Sequence, residues 1–173
     1  PISCLHVTQY VKRLNKLKFY FDNTNASKLV MSANTIFFPR KNIKSLKREL
    51  KIWNEHIDKE SAPTNQEVPS YIQVIGAIYR NSEPTDIAVT AAGGLVGEVV
   101  QVWRPKELNT HESEWGFSCM SYEISGALGI KMANPDKEVI SFVGDGSYLL
   151  NNTDIYSSVI TKNKLIIIVC DNG

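Results

Sequence analysis

The sequence predicts an α/β fold: a parallel sheet flanked by helices, preceded by the end of another α/β domain. Three observations carry this. The run Val139-Ile140-Ser141-Phe142-Val143 reads as a strand, a helical stretch follows from Ser147 to about Ile160, and Leu165 to Cys170 reads as a second, buried strand. Upstream, a helical stretch from Tyr71 to Tyr79 precedes a further short strand, Ile87-Ala88-Val89-Thr90. Between residues 60 and 70 two prolines and several small polar residues interrupt regular structure, which marks a linker. Strands alternating with helices call for parallel pairing, because parallel strands need a long crossover.

Taken in order, residues 1–59 read as the tail of one α/β domain. Ile2 to Val7, Leu29 to Ser32 and Ile36-Phe37-Phe38 are candidate strands. Ile43, Leu46, Leu50, Trp53 and Ile57 recur at helical spacing, so 42–58 reads as an amphipathic helix with Lys44, Lys47, Arg48 and Lys51 on its wet side. Residues 60–70 are the linker, and 71–173 form the second domain. In the 71–79 helix, Ile72, Ile75 and Tyr79 share one face. Pro84-Thr85-Asp86 then breaks the chain before the buried strand 87–90.

Gly93-Gly94 follows that strand, and alone reads as a turn. His111, Glu112 and Glu114 form a charged stretch, read as a surface loop without a catalytic role. A helix is expected over 119–133, packing through Ile124, Leu128 and Ile130, with Ala127 and Gly129 allowing close approach. Met120 opens it, and alone reads as a core residue, since Met fills gaps well.

The chemistry gathers at the ends of the last two strands. The first ends in Gly144-Asp145-Gly146-Ser147 and the second in Asp171-Asn172-Gly173. In a parallel sheet both ends lie on one edge, where ligands bind, so Asp145 and Asn172 can converge although 27 positions separate them. Asp145 offers a charged oxygen and Asn172 a neutral one. Such hard oxygens suit Mg²⁺ or Ca²⁺, and Mg²⁺ commonly completes its shell with substrate phosphates and water. Gly146 and Ser147 open the following helix, whose N-terminus favours an anion. Glycine here lets backbone approach a ligand closely. Asp-Gly by itself is also a common turn.

With these residues in view, the chain resembles thiamine diphosphate-dependent enzymes of the acetolactate synthase-like family, whose cofactor motif begins Gly-Asp-Gly and ends in Asn after a spacer of this length. The resemblance implies Asp145 and Asn172 as side-chain ligands of a Mg²⁺ that bridges the cofactor's two phosphates. A third ligand, a backbone carbonyl, would fall one residue past Gly173. Thr90-Ala91-Ala92-Gly93-Gly94-Leu95, Glu114-Trp115-Gly116-Phe117-Ser118-Cys119-Met120 and Tyr122-Glu123-Ile124-Ser125-Gly126-Ala127-Leu128-Gly129 are similar to the trihydroxycyclohexane-1,2-dione hydrolase branch of that family, which acts in inositol catabolism. That similarity is plain over about 84–173 and faint before it.

The resemblance further implies that Gly94 and Leu95 meet the diphosphate through backbone atoms, Leu95 standing where relatives often carry Gln. It implies that Met120, 25 positions before Asp145, props the cofactor into its bent form. Gly144, Gly146 and Ser147 complete the implied cofactor set. The implied reaction is hydrolysis of a C–C bond in a small cyclic dione, within a homodimer or homotetramer whose active site lies at the subunit interface. The family's ring-activating Glu comes from another domain, so no catalytic residue is assigned here. The first 59 residues take the place of a central domain that does no chemistry. The chain, which starts at Pro1 rather than Met, is expected to be a piece of a longer enzyme.

Composition sets the remaining bounds. The 173 residues are 43% hydrophobic, with a net charge of +1. That charge divides into +8 over residues 1–50 and −7 over the rest. The lysines of the basic part lie among apolar residues and accompany no recognition motif, so no nucleic-acid partner is expected. Cys4, Cys119 and Cys170 form no CxxC pair, which argues against zinc and for reduced thiols. No signal peptide is evident and the longest apolar run is too short to span a bilayer, so a cytoplasmic protein without a membrane partner is expected. Two alternatives stay open: an acetolactate synthase-like lyase or decarboxylase, and a non-catalytic α/β binding module.

Overall fold

A computed structural model describes residues 40–114 and 116–171, with side chains from residue 45 onward. The candidate strands at 2–7, 29–32 and 36–38, together with Cys4, Trp115 and Asn172, lie outside the described residues. Contacts divide the chain into Pro1–Leu50 and Lys51–Gly173, and the second unit carries the architecture below. Among the described residues no helix is long and apolar enough to cross a membrane.

Helix α1 runs over Arg40–Glu60, two residues beyond the expected span at each end. Its expected apolar face is only partly used: Leu46, Leu50 and Trp53 are exposed, while Ile57 is buried. Helix α2 covers Tyr71–Arg80. Its start is set by a capping box, in which Ser70 Oγ accepts the Gln73 N–H at 3.3 Å and Gln73 Oε1 accepts the Ser70 N–H at 2.9 Å, satisfying two otherwise orphan donors. A Cβ on Gly76 would stand 2.5 Å from Ser61 Cβ. Only glycine therefore lets α2 lie against the 61–62 turn, where Arg80 also donates to the Ser61 carbonyl at 2.8 Å.

The remaining elements are β1 (Ile87–Thr90), α3 (Leu95–Val102), β2 (His111–Ser113), α4 (Tyr122–Ala133), β3 (Val139–Gly144), α5 (Asp145–Leu150), α6 (Asp154–Ile160) and β4 (Ile166–Cys170). The four strands form one parallel sheet in the order β2-β1-β3-β4. The parallel sheet with flanking helices is the fold expected from sequence. β1 is buried at every position and β3 at all but its last residue, as befits central strands covered on both faces.

Side-chain alternation divides the core between those faces. Ala88, Ile140 and Phe142 point to one side, against Ile57, Ile75, Leu95, Val99 and Trp103. Ile87, Val89 and Val139 point to the other, against Ala127 of α4. Trp103 is wedged edge-on between Tyr79 and Phe142, with ring centroids 5.5 and 6.0 Å apart. Its indole N–H donates to the Thr110 carbonyl at 3.2 Å, so this large ring is buried with its polar atom satisfied.

Five local expectations are corrected. The helix expected from Ser147 to Ile160 is two short helices, α5 and α6, separated by Asn151-Asn152-Thr153. There Asn151 Nδ2 donates to Ser125 Oγ and Thr153 Oγ1 donates to Asn151 Oδ1, side-chain bonds that compete with helix continuation. The stretch 111–113 is an edge strand paired with β1, His111 opposite Ala88 and Ser113 opposite Thr90, rather than a loop. β4 is partly exposed along most of its length, because it borders the described sheet. Helix α4 begins at Tyr122 rather than 119, since Ser118 and Ser121 have φ of 52° and 75°, which no helix tolerates. Its tight glycine is Gly126, against the Tyr122 ring; nothing approaches Gly129.

Candidate functional site

The strand order creates the site. From β1 the chain crosses to β2 on one side, then returns to β3 on the other side of β1. The connections after β1 and β3 therefore diverge, leaving a crevice at the carboxyl ends of these two strands. Such a switch point is where open parallel sheets bind ligands.

A cavity of about 250 Å³ opens there. Ala92, Gly93, Gly94 and Leu95, which follow β1, form one wall, and Gly144, Asp145, Gly146 and Ser147, which follow β3, form another. Met120 closes a third side, with Tyr71 and Cys170 completing the lining. Seven of the eight residues singled out from sequence thus meet in one cavity: Gly94, Leu95, Met120, Gly144, Asp145, Gly146 and Ser147. The eighth, Asn172, lies outside the described residues. β3 and β4 are in register through Gly144 opposite Cys170, so β4 ends beside the start of α5.

Each wall has its own cause. Gly93 has φ of 76°, a left-handed conformation that costs a side-chain-bearing residue roughly 1–2 kcal/mol. A Cβ built on Gly94 or on Gly144 would meet nothing within 4 Å, and one on Gly146 would meet only Met120 Cε at 3.5 Å. Open space therefore lies directly against these stretches of backbone. Gly94 and Gly144 are the N-caps of α3 and α5, and neither start has a side-chain cap. Early N–H groups of both helices are thus left for another acceptor.

Asp145 is half-buried, and among the described residues it forms no hydrogen bond or ion pair. Its position in the first turn of α5 places a carboxylate near a helix N-terminus. Leu95, in contrast, is buried in the core cluster, so its neighbourhood offers the cavity backbone rather than a polar side chain. Met120 is half-exposed and lies in the turn before α4. That turn is held by Glu114, whose carboxylate oxygens accept the N–H groups of Cys119 and Phe117, each at 2.8 Å. These bonds, that from Cys119 first, hold the Glu114 carboxyl below its ordinary range. Desolvation and then the neighbouring Glu114 raise the Cys119 thiol above its ordinary value, which disfavours a thiolate nucleophile. His111 is lowered by burial and has an unpartnered Nε2 among the described residues.

The residues present fit a metal-bound diphosphate. A hard carboxylate without a partner among the described residues suits Mg²⁺, whose shell is often completed by phosphate oxygens. Glycine backbone beside open space, with uncapped helix starts, suits the phosphates. No group of three or more His, Cys, Asp or Glu gathers among the described residues, so a softer metal has no cluster there.

The sequence reading did not place Tyr71, Ala92, Gly93 or Cys170 of the lining at the site, nor Glu123 behind it. Glu123 is buried, accepting the Ala92 N–H at 3.0 Å and the Ser147 O–H at 2.7 Å. A sequence signal existed, since an acid stands beside Ile124 and four residues before Ala127, on the apolar side of α4.

The chain is similar to known proteins. Residues 91–173 match the family model for the thiamine pyrophosphate enzyme, C-terminal TPP binding domain. A 3D-(3,5/4)-trihydroxycyclohexane-1,2-dione hydrolase from Clostridium tetani is 39% identical over 121 residues, which are 68% of this chain and 19% of that protein. The enzyme of the same name from Geobacillus thermodenitrificans is 38% identical over 121 residues, again 68% of this chain and 19% of the relative. The chain thus spans about a fifth of the length of these relatives. A solved structure, the Rhodococcus jostii RHA1 thiamine diphosphate-dependent 4-hydroxybenzoylformate decarboxylase, shares the fold at a TM-score of 0.59 and 20% identity, covering 65% of this chain and 21% of that one. Residues 91–173 thus carry the C-terminal thiamine pyrophosphate binding domain of thiamine pyrophosphate enzymes.

Proposed function

We propose that this chain supplies the metal–diphosphate part of a thiamine diphosphate- and Mg²⁺-dependent enzyme that hydrolyses a C–C bond in trihydroxycyclohexane-1,2-dione. The observation that carries the cofactor reading is the convergence of Gly94, Met120 and Gly144 to Ser147 on one cavity, with Asp145 unpartnered among the described residues. The substrate reading rests on the name shared by the two relatives at 38 and 39% identity.

In this reading Asp145, joined by Asn172, would hold Mg²⁺, and backbone of Gly94, Leu95, Gly144 and Gly146 would meet the phosphates. Ser147 holds the start of α5 in place through its buried hydroxyl, and Met120 would support the cofactor's bent shape. Thiamine diphosphate, when bound, supplies the nucleophilic carbon that makes cleavage beside a carbonyl feasible. The chain's own part is to orient and to neutralise charge. Turnover is not expected from these 173 residues in isolation. The exposed Leu149, Leu150, Val159 and Ile160 on α5 and α6 support assembly as a homodimer or homotetramer.

Titration of thiamine diphosphate into the full-length protein, with and without Mg²⁺, tests the reading. Binding should require the metal, and Asp145→Ala should weaken it by about 100-fold or more. Metal-independent binding, or unchanged affinity in the variant, would exclude it. An acetolactate synthase-like reaction would show instead as carboligation or decarboxylation of 2-oxo acids, with no ring opening of the cyclic dione.

A further inference from the structure

Building on the cofactor reading above, we propose that Glu123 is a positioning residue that ties the three walls of the cavity together. Nothing in the candidate cofactor set includes it, and it does not line the cavity. Its carboxylate is 1% exposed and forms no ion pair among the described residues. Burying an acid without a cation is unfavourable unless its oxygens are bonded, and here each oxygen has one partner.

The partners are what point to a role. Oε1 accepts the Ala92 N–H at 3.0 Å, next to Gly93, whose left-handed φ of 76° sets the course of the first wall. Oε2 accepts the Ser147 O–H at 2.7 Å, just after Gly146 in the second wall. Ser147 Oγ in turn accepts the Ser121 N–H, next to Met120 in the third. The base of Glu123 is itself held, because its carbonyl accepts the Ser141 O–H from β3 at 2.7 Å. One side chain thus sets the distance between a loop 31 residues before it and a helix 24 residues after it. A leucine could fill the volume. Only a planar two-oxygen acceptor bridges both donors, and satisfied buried networks of this kind specify a single geometry.

The test compares wild type, Glu123→Ala and Glu123→Gln in the full-length protein, by residue-resolved amide exchange and by thiamine diphosphate affinity with Mg²⁺. In Glu123→Ala, the Ala92 amide should exchange about tenfold faster or more, and the dissociation constant should rise by a similar factor. The Phe142 amide in β3 should keep its protection. Glu123→Gln retains an acceptor for Ala92 but leaves the Ser147 hydroxyl without one. It should restore most of the Ala92 protection while affinity falls only about threefold, and it serves as the deciding variant if the alanine protein fails to fold. Unchanged Ala92 exchange and affinity in both variants would overturn the proposal. So would affinity that falls only in step with Phe142 protection, which would mean a packing role. Failure of wild type to bind the cofactor would instead sink the thiamine reading, and the exchange data would still decide whether Glu123 couples the walls.

Discussion

Two neighbouring units of the sheet make the same turn with different residues. β1 passes through Ala92-Gly93-Gly94 into α3, and β3 passes through Gly144 into α5. The first side chain of α3 is Leu95, 5% exposed and packed with Val99 and Phe142 in the core. The first side chain of α5 is Asp145, half-buried and unpartnered among the described residues. One unit commits its side chain to stability and presents backbone to the crevice. The other presents charge and leaves its packing to Val143 and Phe142 behind it. A single strand–glycine–helix design therefore buries an apolar side chain in one copy and presents a carboxylate in the next.

Exchanging the two roles should break the comparison most visibly at Leu95. Leu95→Ala removes a buried side chain and should lower stability by about 2–5 kcal/mol, read as a shifted denaturant midpoint. The metal requirement of cofactor binding should stay as in wild type. Loss of the metal requirement would mean that both units handle charge.

A smaller effect is expected at Gly93. Gly93→Ala adds a Cβ that meets nothing within 4 Å but must adopt φ of 76°. Stability should fall by roughly 1–2 kcal/mol through backbone strain alone. A neutral result would show that the Ala92–Gly94 turn relaxes easily and does not define the first wall.

The smallest effect concerns acid. Glu114 is depressed chiefly by its bond from the Cys119 N–H, so its folded state favours the carboxylate. The stabilisation it gives the 114–119 turn is present above the ordinary carboxylate pKa and is lost as pH falls through the lower folded value. The Cys119 and Phe117 amides, corrected for intrinsic rates, should lose protection over that acid window while the Phe142 amide does not. Glu114→Gln should remove this pH dependence; persistence in the variant would assign it to another group.

Much of this was legible in the sequence, and the reason is locality. β1, β3, β4 and α2 announce themselves through apolar runs and helical spacing within ten residues. The Gly-Asp-Gly turn follows its strand directly. What escaped depends on distant partners. His111-Glu112-Ser113 is too short and polar to read as a strand, and becomes one only by pairing with β1. The break between α5 and α6 uses Ser125, 26 residues from Asn151. The late start of α4 follows from left-handed Ser118 and Ser121, residue types that give no warning of it. Glu123 could be read as a misplaced charge, but its bridge to Ala92 and Ser147 needed the fold. Similarity to relatives also extends further than the motifs suggested, since 121 aligned residues must reach back past residue 84.

The most direct test is a structure of the full-length protein with thiamine diphosphate and Mn²⁺ in place of Mg²⁺, using the metal's anomalous signal to locate it. The account predicts one metal peak in the crevice between β1 and β3, about 2.1–2.2 Å from an Asp145 carboxylate oxygen and bridging two phosphate oxygens. A metal bound away from Asp145, or a cofactor seated outside that crevice, would contradict it.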